Sequence, residues 1–210
     1  VTEYPTIEKW SPKYFGKHIF AFDKCDGSNM RFEWNRKLSK KSRFTFGFKK
    51  FGTRTERIMN TSNPFYEGVK IFNDEYAELL DKIFIENKRF RNIEQITVFT
   101  EFCGKNSFAG RHDWKEKHYL KIFDINLYKK GFLSPAEFFD IFYIGRPALV
   151  KVGEFEEQFV KEIENNKYNL QEGVVCKGMD EGKVFMFKIK TQAWLDKVKK
   201  MYGEKEMLNY

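Results

Sequence analysis

The sequence predicts an α+β fold, with antiparallel sheets flanked by helices, and three observations carry that prediction. Aromatic residues make up 18% of the 210 residues, 24 of them Phe, and aromatics are enriched on the half-buried pleated surface of a strand. Several short runs alternate apolar and polar residues, the two-residue period of a strand with one wet face. One long segment instead follows the helical period, and another opens with helix-capping residues. At 41% hydrophobic the chain can fill a core. No repeat, low-complexity tract or Gly/Pro-rich linker divides it, so one continuous domain over residues 1–210 is expected.

Taken in order, residues 18–23 (HIFAFD) form a strand that delivers Lys24 at its end. Residues 28–35 (SNMRFEWN) place Met30, Phe32 and Trp34 on one face, and 42–51 (SRFTFGFKKF) do the same with Phe44, Phe46 and Phe48. The polar stretch 36–41 between them reads as a hairpin turn. Over 68–88, Phe72, Tyr76, Leu79, Leu80, Ile83 and Phe84 recur at helical spacing. Strands return at 95–102 and 118–127. In SPAEFFDIF, residues 134–142, Ser134 caps a helix, Pro135 suits its first turn and Glu137 completes a capping box. A helix over 154–165, strands at 172–177 and 183–190, and a helix over about 192–202 complete the expected order.

The formal net charge is +8, which suits a polyanionic partner such as nucleic acid or a nucleotide. No segment has the uninterrupted apolar length of a membrane span, and no signal-peptide pattern opens the chain. Cys25, Cys103 and Cys176 are odd in number and lack CxxC spacing, which argues against a disulfide framework and for a reducing, cytoplasmic setting. Their spacing to His18, His112 and His118 matches no zinc template.

Four segments place charge at the end of an apolar strand: KCDGSN (24–29), FTEFCG (99–104), EGVVCK (172–177) and FKIK (187–190). A lysine attacks phosphorus only when unprotonated, and its ordinary pKa is about 10.4. Cations nearby lower that value and also hold phosphates, a role open to Lys177, Lys188 and Lys190. Strand alternation puts Lys188 and Lys190 on one face, able to clamp a phosphate chain together. Gly27 allows a tight turn after Asp26. Glu172 and Lys177 have odd spacing, so both reach one pocket only through a bulge or twist. Alternation points Cys25 and Cys176 into the core.

In this order the segments resemble the covalent nucleotidyltransferases: DNA ligases, RNA ligases and mRNA capping enzymes. Two further segments fit, FGTRT (51–55) with Arg54 and KIFDI (121–125) with Phe123. The resemblance implies an adenylyltransferase fold in which Lys24 takes AMP from ATP with Mg²⁺ or Mn²⁺. It implies that Arg54, Lys177, Lys188 and Lys190 serve the nucleotide, that Glu101 binds the ribose, that Phe123 stacks on adenine, and that Glu172 organises metal-bound water. Core packing is the rival role for Phe123, a salt bridge for Glu101 and Glu172, a loop charge for Arg54, and a turn for Asn29. Asn29, where DNA ligases and capping enzymes have arginine, resembles the RNA ligase 2 branch, as does FTEFCG. Asp26 instead resembles DNA ligases, so a small DNA ligase is the second reading. A non-catalytic nucleic-acid-binding module of the same fold is the third. The resemblance implies RNA, or DNA, ends or nicks as partners and no membrane. It implies an intracellular enzyme of cellular, viral or phage origin. Only residues 191–210 follow the last lysine motif, so no appended OB or helical domain is expected, which leaves three readings open: a minimal ligase, a truncated chain, or an enzyme whose grip on substrate is completed by a partner protein.

Overall fold

The computed structural model describes residues 3–41, 46–105 and 115–203. Its elements are β1 (Glu8–Lys9), β2 (His18–Lys24), β3 (Ser28–Asn35), α1 (Arg36–Ser39), β4 (Phe48–Thr53), α2 (Tyr66–Glu75), α3 (Ala77–Glu86) and β5 (Gln95–Cys103). There follow β6 (Tyr119–Leu127), β7 (Gly131–Phe132), α4 (Pro135–Ile141), β8 (Leu149–Glu154), α5 (Glu157–Glu164), β9 (Gly173–Asp180), β10 (Lys183–Lys190) and α6 (Gln192–Tyr202). Their contacts gather the described chain into two compact units, one of residues 5–26 and 134–203, the other of 3–4, 27–105 and 115–133. The α+β class is as expected from the aromatic alternation.

In the first unit, the strand order is β1-β10-β9-β2-β8, with β1 parallel to β10 and the other pairs antiparallel. One face of this sheet presents Ile19, Ala21, Val174, Cys176, Phe187 and Ile189 to Phe159, Val160 and Ile163 of α5. These side chains alternate along each strand, so Phe22 and Lys24 of β2 fall on the other face. There Phe22 meets Phe138 of α4 edge-on, with ring centroids 5.8 Å apart. The capping box that starts α4, Ser134 with Glu137, is formed in both directions.

In the second unit, the order is β4-β3-β5-β6-β7, antiparallel throughout. The helices α2 and α3 bury one face: Phe32 stacks on Phe72 at 3.7 Å, and Trp34 meets Phe84 edge-on at 5.3 Å. The Trp34 indole donates to Asp81 at 2.6 Å. The opposite face carries polar residues of β3, β5 and β6 together with Phe99, which is buried there against Tyr4.

Four element expectations need correction. Residues 36–41 contain the short helix α1, because the Asn35 side chain accepts from the amides of Lys37 and Leu38 and caps a helical turn instead of closing a hairpin. The strand expected at 42–51 lies at 48–53: Phe46 and Gly47 have φ of 44° and 76° and form a turn, while Phe44 lies outside the described residues. The helix expected over 68–88 is two, broken at Tyr76, whose hydroxyl donates to the Leu120 carbonyl at 3.1 Å. The apolar period runs unbroken through that joint, so it gave no warning. Finally, 149–154 forms β8 against β2, and α5 starts only at Glu157. Among the described residues, no helix is long and apolar enough to cross a membrane.

Candidate active site

Lys24 ends β2 and Lys190 ends β10, and both are register partners of Gly173, the first residue of β9 between them. Gly173 has φ of +152°, and a Cβ there would fall 2.1 Å from the Ile189 carbonyl oxygen. No side chain fits, so the glycine is what lets two lysine-bearing strands close around one point. Glu172, just before it, sends its carboxylate between them. Lys24 Nζ donates to Glu172 Oε2 at 2.8 Å, and Lys190 Nζ to Oε1 at 2.6 Å.

The side chains of Glu172 and Lys190 are 4% and 6% exposed, against 22% for Lys24. Burial alone would raise the Glu172 carboxyl, but the ammoniums of Lys24 and Lys190 outweigh it and hold the group below its usual value. Burial pulls the Lys190 ammonium down to about 8, with Glu172 opposing and Lys24 adding to the fall. Lys190 is also pressed on an aromatic face, its Nζ 3.6 Å from the centre of the Trp194 ring, a close cation–π contact. Trp194 is set there by the start of α6, where Thr191 Oγ1 accepts from its amide at 3.2 Å.

Lys177 and Lys188 join this group by register. Lys177 pairs with Phe20 and Met186, and Lys188 with Val175. All of these lie on the face opposite the α5 core, so Lys24, Lys177, Lys188 and Lys190 share one side of the sheet. Lys177 is buried, its Nζ 5.4 Å from the Phe138 ring centre. The expected bulge between Glu172 and Lys177 is unnecessary, because Glu172 lies outside β9 and strand parity does not bind it.

The remaining expected residues belong to the second unit. Asn29 and Glu101 are direct cross-strand partners on the polar face. Asn29 Oδ1 is buried and has no hydrogen-bond partner among the described residues, an acceptor left for an incoming donor. Phe123 sits at a register shift between β5 and β6, where Thr100 pairs with Ile122 and Phe99 with Asp124. The shift turns its half-buried ring outward against Tyr4, edge-on at 4.9 Å. Tyr4 in turn donates to Asp124 Oδ2 at 2.8 Å, and burial followed by the Asp124 charge pushes its phenol well above the ordinary value. Arg54 follows β4, half-exposed, with Nε 3.5 Å from Glu3. The carbonyls of Thr53 and Arg54 are held by the buried Arg31 guanidinium, the latter at 2.8 Å. Gly27 lies at a bend and also allows close approach to β5: a Cβ would lie 2.5 Å from the Phe102 carbonyl oxygen. Cys176 is buried as expected, but Cys25 lies past the end of β2 and is only partly buried.

Sequence reasoning passed over Gly173, Trp194, Arg31 and Tyr4. A glycine opening the strand directly after Glu172 was a signal for the first, and the Thr191 cap pointed to the second. Arg31 sits between apolar residues of an alternating strand, where a charge carries no signal of its own. Nothing near Tyr4 marked it. Among the described residues no cluster of His, Cys, Asp and Glu suits a metal by itself, and His112 lies outside them.

A sequence model of a family described as RNA ligase matches residues 17–190, a span that holds every site residue expected from the sequence. Curated protein sequences give no match. Among solved structures, a Naegleria gruberi RNA ligase with pyrophosphate is similar at a TM-score of 0.62 and 20% identity, over 94% of this chain and 60% of that one. A variant of the same enzyme with ATP and manganese is similar at 0.57 and 22% identity, over 93% and 59%. An archaeal ATP-dependent RNA ligase is similar at 0.61 and 17% identity, over 93% and 50%. At these identities the likeness establishes the fold. The chain spans about 60% and 50% of the lengths of the Naegleria and archaeal proteins.

Proposed function

This chain belongs to the RNA ligase family, and we propose that it joins 5′-phosphate and 3′-hydroxyl ends of RNA at the expense of ATP, through AMP carried covalently on Lys24. The observation that carries this reading is the placing of Lys24. It stands at a strand end, partly exposed, with its Nζ on the carboxylate that also holds Lys190. A lysine kept for folding alone has no need of three further lysines on its face of the sheet.

In the first step the unprotonated Lys24 amine attacks the α-phosphorus of ATP. A P–N bond forms, the bond to pyrophosphate breaks, and the amine gives up its proton. The leaving pyrophosphate is polyanionic, and Lys177, Lys188 and Lys190 are the cations on the same face to receive its charge. In the second step a 5′-phosphate oxygen attacks the same phosphorus and releases Lys24; in the third, the 3′-hydroxyl displaces AMP. Asn29 and Glu101 would take the nucleoside, and Phe123 would offer a ring to adenine. Arg54 would approach it from the loop that Arg31 fixes.

Mg²⁺ binds through one or two carboxylates together with substrate phosphates, and Glu172 is a carboxylate that fits such a site. Both its oxygens are taken by lysines, so Glu172 would hold the ion through water. Bound there, a divalent ion supplies charge neutralisation for the phosphates.

Incubation with α-labelled ATP followed by a denaturing gel tests the central claim. Label should remain on the chain, disappear in Lys24→Ala and be poor with labelled GTP. Undiminished label on Lys24→Ala would overturn the assignment. Matched RNA and DNA nicks then test the substrate: faster sealing of DNA would make this a DNA ligase.

A further inference from the structure

The second unit holds a cleft of about 340 Å³ that none of the candidate active-site residues line. It opens at the end of β3 and β5 away from Asn29 and Glu101, six residues along β3, or about 20 Å at strand rise. Its floor is polar. Lys50, Glu33 and Thr97 are neighbours in register, and Asn35 and Gln95 form the next row. One wall is the ring of Tyr128, which is 53% exposed and has Lys129 Nζ 5.4 Å from its centre. Across β5 and β3, three strand spacings or about 14 Å away, Lys49 and Lys50 of β4 form the other.

These features specify a ligand class. The volume falls at the small end of ligand clefts, which run about 300–1,000 Å³. A polar floor disfavours an apolar guest. The single carboxylate, Glu33, lies 3.6 Å from Lys50 and is offset by it. Its lining holds two lysines, Lys49 and Lys50, against that one carboxylate, so the described lining is net cationic. An exposed aromatic plane facing lysines across a polar floor is how proteins hold unpaired nucleotides: the base stacks, the phosphate meets ammonium, and sequence matters little.

We propose that this cleft is a subsite for one unpaired nucleotide of the RNA strand, with the base against Tyr128 and the phosphate toward Lys49 and Lys50. The assignment rests on the ligase reading above and adds a second contact, remote from the chemistry, through which the substrate strand is held. The strand then crosses the polar face of one sheet, and grip is separated from adenylyl transfer.

The test uses the full chain and a fluorescently labelled single-stranded oligoribonucleotide, read by anisotropy, with sealing kinetics and lysyl-AMP formation measured on the same preparations. Tyr128→Ala should weaken binding about tenfold and raise KM for RNA. It should leave lysyl-AMP formation at the wild-type rate, as expected of an exposed residue. Tyr128→Phe, which keeps the ring, should bind like wild type. Lys49→Ala should weaken binding and flatten its salt dependence. Tyr143→Ala, 68% exposed in the other unit, should change nothing. Wild-type binding by Tyr128→Ala, or equal loss in Tyr143→Ala, would overturn the subsite. A wild-type chain that forms no lysyl-AMP while Tyr128→Ala still loses RNA would overturn the ligase reading and leave the subsite standing.

Discussion

Lys190 is a cation held where little water reaches it, between a carboxylate and an indole ring. Its folded pKa of about 8 lies below the ordinary 10.5, so in the empty protein the unfolded chain binds the extra proton between those values. Stability contributed by this group therefore rises with pH across that window and is lowest below it. Lys190→Met removes the buried charge and keeps the volume. Relative to wild type, the variant's advantage in unfolding free energy should shrink as pH goes from 8 to 10.5, measured by denaturant titration without ATP or metal; a constant difference would mean that Lys190 is not desolvated. The sequence could show that Lys188 and Lys190 share a face, because alternation needs only the backbone. It could not show that Glu172 bridges Lys24 and Lys190, since that contact joins residues 148 and 18 positions apart.

At the scale of elements, the site depends on β9 running between β2 and β10, and Gly173 is a point where no side chain fits between them. Gly173→Ala places a methyl group on the Ile189 carbonyl in a backbone region that side chains avoid. A cost of about 1–3 kcal/mol is expected from the strain alone. The strands must part where both lysines end, so adenylylation should fall even at temperatures where the variant is fully folded, as circular dichroism alongside the label assay would show. β3, β5, β6, β10 and α6 were legible within a residue or two, because each shows an uninterrupted period with a cap or turn at its ends. The joint at Tyr76 was hidden, since both helices bury the same stripe and the tyrosine belongs to it. β8 was hidden because LVKVGE is short, ends in a positive-φ glycine at Gly153 and runs into a helical pattern. The outward turn of Phe123 depends on a register shift against β5, and one strand read alone carries no register.

For the whole molecule, the net charge of +8 bears differently on the two halves of the proposed reaction. Gripping a strand releases counterions from many phosphates and weakens steeply with salt, whereas loading Lys24 needs only ATP and a metal. Sealing of nicked RNA should thus fall much more than lysyl-AMP formation as salt rises from low to physiological levels. Equal slopes would mean that the strand is held by contacts other than ion pairs. The order of charged motifs made the family legible at this scale, while the division of those motifs between two compact units was not, because no linker composition marks it. The four lysines on one sheet face have a last consequence, for the protein at rest. Like charges gathered on one sheet face repel one another, and a compact polyanion bound there relieves that repulsion. Ligand occupancy should thus act as a thermal brace. Inorganic tripolyphosphate, which has no base or sugar to be recognised, should raise the melting temperature by about 5–10 °C at a hundredfold excess over its dissociation constant. Adenosine, with no charge to share, should leave the melting temperature where it was.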